Sequence, residues 1–265
     1  MITKSKKASF GKLIQSEYQK IFFLKFSKIF IGCLIIISLL MGLIFSLTTN
    51  VTQGKAITEL SPMNIISANM LGIDVATIML IIFTGMSISK EFSTKLVHVS
   101  LAVTPNRQKF FFGKFIIYLI LSLLVSIIVT LLTCAAAELV LITNGLPTVS
   151  FFDPMFRQFV FGSMYMPVFY CLLTVAATFI FRSSGGAITF SLTIMFIPGL
   201  ISMFSDTIQR LIIPILPVSA LHSISGVAEK ESFELLGIST SILLLLVWIV
   251  ITSLIGIFQF ERKDV

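Results

Sequence analysis

Charge is spaced along this chain so that six long stretches are left almost without it. Lys28 to Lys55 encloses 26 uncharged residues, Lys114 to Glu138 encloses 23, and Arg157 to Arg182 encloses 24. Arg182 to Asp206 encloses 23 and Glu234 to Glu261 encloses 26, while Glu59 to Lys90 is broken only by Asp74. About 20 apolar residues in a helix cross a hydrocarbon core roughly 30 Å thick, so each stretch is long enough to span a bilayer. Composition closes the alternatives. Only 12% of the 265 residues are charged, about half the share in a soluble domain, so a water-soluble enzyme would be unable to cover its own surface. The 26 Phe and the Ile/Leu runs would collapse a disordered chain in water. The expected fold is an all-α integral membrane protein with six transmembrane helices in one domain over 1–265.

Two segments outside these stretches carry their own pattern. Phe10, Leu13, Ile14, Tyr18, Ile21 and Phe22 recur at helical spacing opposite Lys12, Ser16, Gln19 and Lys20. An amphipathic helix within 1–28, lying on the inner leaflet, is expected; a helix that simply starts the first span early is the alternative. A cleavable signal peptide is not expected, since the basic region is 28 residues long and no small-x-small site follows the apolar run. The second segment, Leu211 to Ala228, is uncharged for 18 residues, but Pro214 and Pro217 interrupt its first half and Ser219, His222, Ser223 and Ser225 make its second half polar. A hairpin over 205–234 that enters the membrane and returns is expected, extracellular and just before the last span.

Basic residues orient the spans. With both ends cytoplasmic, segments 1–28, 89–114, 182–185 and 259–265 hold fifteen of the 19 Lys and Arg, leaving Lys55, Arg157, Arg210 and Lys230 outside. This is the positive-inside bias. The net charge of +7 is then a matter of topology and lipid contact, and nucleic-acid binding is a poor reading of it. A multi-pass cell-membrane protein follows.

The connection between the second and third spans, 89–114, is longer than a reversal needs. Phe92, Leu96, Val99 and Val103 fit one side of a helix, while alternation around Val97, Val99 and Leu101 also allows a short strand. In either case Pro105 should end the element, with Arg107 and Lys109 at the headgroups. Glu91, Ser93-Thr94, Leu96, Leu101, Pro105, Arg107 and Gly113-Lys114 follow one another here. In this order they resemble the type-2 permease family of ATP-binding-cassette exporters, which usually has Gly where this chain has Ser93. The resemblance extends to the amphipathic N-terminal helix, six spans and an apolar hairpin before the last. It implies a permease working with cytoplasmic ATP-binding-cassette ATPase subunits, in a dimer with a second copy or a related permease. It also implies that Glu91, Phe92, Thr94, Leu96, Val99, Pro105 and Arg107 form the ATPase-coupling contact. No G-x-x-x-x-G-K-[ST] motif occurs, and position 108, where its first Gly would stand, is Gln. The substrate implied is amphipathic or hydrophobic: a peptide, a drug or a lipid-linked molecule.

Residues able to do chemistry are few. His98 and His222 are expected at opposite faces, and no H-E-x-x-H or G-x-S-x-G occurs. Glu229, Glu231 and Glu234 read as a solvated cluster, and Cys33, Cys134 and Cys171 as small buried hydrophobes. Neither enzymatic activity, cofactor nor metal is expected. Asp74 is the one charge inside a span, about 22 Å from Ser89 at the helical rise. It either snorkels to the outer interface or lines the substrate path. Tyr165 and Tyr170, around Pro167, are candidates for the same path if the fourth span kinks. Gly185-Gly186 are expected to make the turn into the fifth span. A stand-alone secondary transporter or channel is the competing function. The lack of ionisable groups in five of six spans weighs against it.

Overall fold

The computed structural model describes residues 10–52, 54–103, 106–228 and 232–262, without the side chains of Asn50, Thr52, Val99, Ala102 and Val103. Expectations placed on Pro105, Glu229, Lys230, Glu231, the tail beyond Arg262, and the side chains of Val99 and Val103 lie outside these residues.

The described residues are helical, without strands: α1 Phe10–Phe23, α2 Lys25–Leu47, α3 Thr49–Thr52, α4 Pro62–Ser93, α5 Leu96–Val103, α6 Arg107–Thr143, α7 Pro154–Ser163, α8 Tyr165–Phe181, α9 Ser184–Ile201, α10 Asp206–Ile212, α11 Pro217–Ser225 and α12 Ile238–Arg262. Six are long and apolar enough to cross a membrane, with α7 and α8 counted together as one. This is a multi-pass membrane protein.

Burial sorts the spans. The most apolar stretch of the α7–α8 span is 67% buried and that of α4 61%, against only 17% for α12, so α4 and α7–α8 form the centre and α12 turns most of its surface outward. Two glycines let α2 approach α4. A Cβ on Gly42 would lie 2.4 Å from the Asn69 carbonyl oxygen, and one on Gly72 would lie 2.4 Å from that of Ser38. Small residues at such a contact bring backbones together where lipid removes the hydrophobic drive between helices. Polar side chains pin the bundle across spans: Asn69 Nδ2 donates to Ser46 Oγ at 3.2 Å, and Ser126 Oγ to the Met164 carbonyl at 2.8 Å. The Met164 contact sits at the break between α7 and α8.

Helix ends follow local chemistry. Ser61, Asn106, Asp153 and Ser183 each accept a backbone N–H at the start of a helix, as short polar caps do. Two turns are made by non-glycine residues in the left-handed region, one of them where Gly185-Gly186 are the expected pair. The turn into α9 is made by Arg182 at φ 53, while Gly185 and Gly186 belong to the first turn of α9. The turn after α4 is made by Lys95 at φ 56, and Ser93 is still helical. Cys33 is exposed, Cys134 half-buried and Cys171 buried, so burial holds for the last alone.

Two ends can be distinguished. At one, which carries Lys20, Arg107, Lys114, Arg182 and Arg262, α1, the α4–α6 connection, the α8–α9 turn and the end of α12 meet. At the other, α10 and α11 join through a 3₁₀ turn, Ile213–Ile215, and bend by 77°. The bend falls at Leu216, extended at ψ 144 because Pro217 follows. Trp248 Nε1 donates to the Ile215 carbonyl at 3.0 Å, ten residues into α12 and so about 15 Å from its start. Ser223 meets Glu234 and Leu236 just before that start.

Candidate functional site

At the basic end four charges from three helices form one cluster. Glu17 sits on the buried side of α1 between Leu13 and Ile21. Lys114 Nζ donates to Glu17 Oε2 at 2.5 Å and to Glu91 Oε1. Lys20 Nζ reaches Glu17 at 2.7 Å and Glu91 at 3.4 Å. Lys114 is 2% exposed. Two carboxylates balance two ammonium groups, which makes such burial tolerable. Burial alone would raise the Glu17 carboxyl, but the charges of Lys114 and Lys20 outweigh it and hold it below the usual carboxylate range. Burial would likewise depress Lys20, and Glu17 and Glu91 more than offset it. Gly113 allows the approach, since a Cβ there would lie 3.0 Å from the Leu13 side chain. The Gly113-Lys114 pair thus works between α1 and α6.

The coupling residues divide. Glu91 turns inward into the cluster instead of outward to a partner, because two lysines meet it there. Phe92 also points inward, edge-on to Phe179 and Phe260, in a ring nest completed by Phe110 and Phe111. Thr94, Lys95 and Leu96 are exposed. The break at Thr94–Lys95 puts Phe92 on α4 and Leu96 on α5, so they share no helical side. The 96–103 segment itself is helix, which resolves the choice against a strand. Arg107 donates through Nη1 to the carbonyls of Phe260 at 2.6 Å and Glu261 at 2.9 Å. Arg182 Nη2 reaches the Gln259 carbonyl at 3.4 Å. Both cations meet the negative end of the α12 dipole, fixing the last span to the α4–α6 connection and the α8–α9 turn.

At the other end a cavity of about 480 Å³ opens between α4, α7, the start of α8 and α11. Asp74 lines it, half-exposed, with Met70, Phe159, Met166 and Leu221 as apolar wall and His222 opposite. The wall exists because Gly162 lets α7 touch α11: a Cβ there would be 2.2 Å from Ser225 Cα. His222 Nδ1 donates to Glu234 Oε2 at 2.7 Å, since a carboxylate can only accept. That hydrogen bond, against the opposing effect of burial, holds Glu234 below its usual range. Neither path tyrosine joins Asp74 in the lining. Tyr165 is 53% exposed, and Tyr170 is fully buried with its hydroxyl unpartnered. His98 and His222 sit at opposite ends, on α5 and α11. Among the described residues no three His, Cys, Asp or Glu could together hold a metal ion.

Sequence reasoning missed Glu17, Lys114 as a buried partner, and the His222–Glu234 pair. The signal for Glu17 was a carboxylate in line with Leu13 and Ile21. No protein-family model matches this chain, and no curated protein does.

Proposed function

We propose that this chain is the transmembrane subunit of an ATP-binding-cassette exporter. It moves an amphipathic or hydrophobic substrate out of the cell, driven by a separate ATPase in the cytoplasm. One observation carries the reading: α5, a short separate helix, sits at the basic end on a hinge of exposed Thr94, Lys95 and Leu96. The element behind that hinge is tied by Glu91 to α1 and α6. A push on α5 by a closing ATPase would therefore reach three helices through packed and ion-paired contacts. With Glu91, Phe92 and Val97 facing inward, the docking surface is the exposed run Thr94 to Leu96 with His98. In this reading the basic end is cytoplasmic, α1 lies along the inner leaflet, and α10–α11 form a re-entrant hairpin. The depth difference between Ile215 and Ser223 along α12 supports the hairpin.

Asp74 favours one second reading, a stand-alone secondary transporter using an intramembrane carboxylate. Against it, beyond His222 in the same cavity the next ionisable group along α4 is Lys90, sixteen residues or about 24 Å away, so α4 carries no relay onward to the opposite end.

Affinity purification from native membranes tests the proposal. A cassette ATPase retained in fixed stoichiometry by the parent chain, and lost with Leu96→Asp, is expected; no ATPase with the parent chain would end it. Orientation is checked with single cysteines at Ser100 and Ser150 in a cysteine-free background. An impermeant reagent on intact cells should label the second and spare the first.

A further inference from the structure

We infer that the cavity lined by Asp74 is a binding site for an amphiphile carrying a protonated amine. Asp74 has no hydrogen bond or salt bridge to any described side chain, unlike Glu17 and Glu91 in the same bundle. A carboxylate facing an apolar wall is costly unless a cation or water meets it. His222 is the only other titratable side chain in the lining, and its Nδ1 is already engaged by Glu234. Asp74 and Glu234 thus make the surroundings acidic, which disfavours an anionic ligand. A bare metal ion has too few ligands, since no group of three donors is present among the described residues.

Shape and lining add the second half of the ligand. At about 480 Å³ the cavity falls in the range of sites for drug-sized molecules. Met70, Phe159, Met166 and Leu221 offer an apolar wall, and the two methionines adapt to irregular shapes. The complement is a flexible apolar body ending in one cation, with the ammonium at Asp74. The site rests on the exporter reading only for its place in transport; binding requires neither ATP nor a partner.

The test uses the full-length chain in nanodiscs of zwitterionic phosphatidylcholine at about pH 8, without ATPase. The probes are monodansylcadaverine, a protonated amine, and N-pentyl dansylamide, which lacks only that amine. Saturable dansyl fluorescence above empty nanodiscs is expected for both, with the amine bound at least about tenfold more tightly, as one charge-assisted contact gives. Asp74→Asn should erase that preference and leave the neutral probe unchanged. Ser67→Phe, which fills the cavity and keeps the carboxylate, should weaken both probes together. A preference that survives Asp74→Asn overturns the proposal, as does probe binding indifferent to Ser67→Phe or an absence of saturable binding. None of these outcomes touches ATPase capture, so the two readings fail separately.

Discussion

The two ends of the bundle treat buried charge in opposite ways. At the basic end, Glu17, Glu91, Lys20 and Lys114 neutralise one another and lock three helices. At the other, Asp74 faces a cavity without an ion partner, while His222 and Glu234 pair at its side. A closed cluster rigidifies, because removing any member strands the rest. An open carboxylate leaves an interaction for something that arrives. The contrast is what the proposed exporter would need, with force received at one end and a ligand at the other.

The largest break in this contrast should come from Lys114→Met. It leaves two carboxylates facing one half-exposed ammonium, at a cost of about 3–5 kcal/mol. Thermal unfolding in detergent, followed by size-exclusion chromatography, should show a large drop in midpoint. Adding Glu17→Gln should recover part of it, since one stranded charge disappears. If Lys114→Met melts no lower than Asp74→Asn, the two ends do not differ as described.

A smaller effect sharpens the opposite end. Gly162→Ala places a methyl 2.2 Å from Ser225 Cα and 2.7 Å from its nitrogen, where neither backbone can yield by side-chain rotation. Overpacking of this kind is worth about 1–3 kcal/mol. Gly199→Ala, with nothing within 4 Å of the new methyl, should be neutral or slightly stabilising through helix propensity. Equal melting of the two variants would remove the tight α7–α11 contact on which the cavity wall depends.

What was legible in the sequence follows from the range of each interaction. The spans were legible because burial in lipid is a property of each stretch by itself, and uncharged gaps record it directly. The bend at Leu216 was legible because Pro217 acts on its own neighbour. Asp74 stood out as a lone charge, but the cavity did not, because His222 and Gly162 come from distant helices. Pairing of Glu17 with Lys114 crosses 97 positions and leaves no period in the sequence. The α4–α5 break stayed hidden because Lys95 adopts a left-handed backbone that non-glycine residues seldom take. Apolar spacing therefore runs on through Phe92 and Leu96 as though one helix held both.

Acidification compares the ends more gently. The folded value of Glu234 is depressed below the ordinary carboxylate value of 4.5. Its contribution is therefore fully present above about pH 4.5 and lost as pH falls through the lower, folded value. Both partners are about a third exposed or less, so the effect should not exceed about 1 kcal/mol. Protection factors in 217–228 and 232–237, taken as exchange relative to the intrinsic rate at each pH, should fall by up to about fivefold between pH 6 and pH 3 in the parent chain. In Glu234→Gln protection should already be lower at pH 6 and change little. A parent-like acid response in Glu234→Gln would assign it to another group.

The smallest effect on the chain itself is expected where the effect on function is greatest. Leu96 is 47% exposed and Thr94 is exposed, with the Thr94 hydroxyl donating to the Lys90 carbonyl within its own turn. Leu96→Asp should therefore change stability by no more than about 0.5 kcal/mol, as is typical of surface changes, and leave the melting midpoint nearly unmoved. A charge set into an apolar docking contact, by contrast, is disfavoured by desolvation and should abolish ATPase capture. Glu91→Lys cannot make this distinction, because it would bring a third ammonium group against Lys20 and Lys114 and loosen the cluster whether or not an ATPase binds there. Leu96→Asp with unchanged melting and lost capture separates the receiving surface from the cluster behind it. Unchanged melting with full capture would move the docking site off α5.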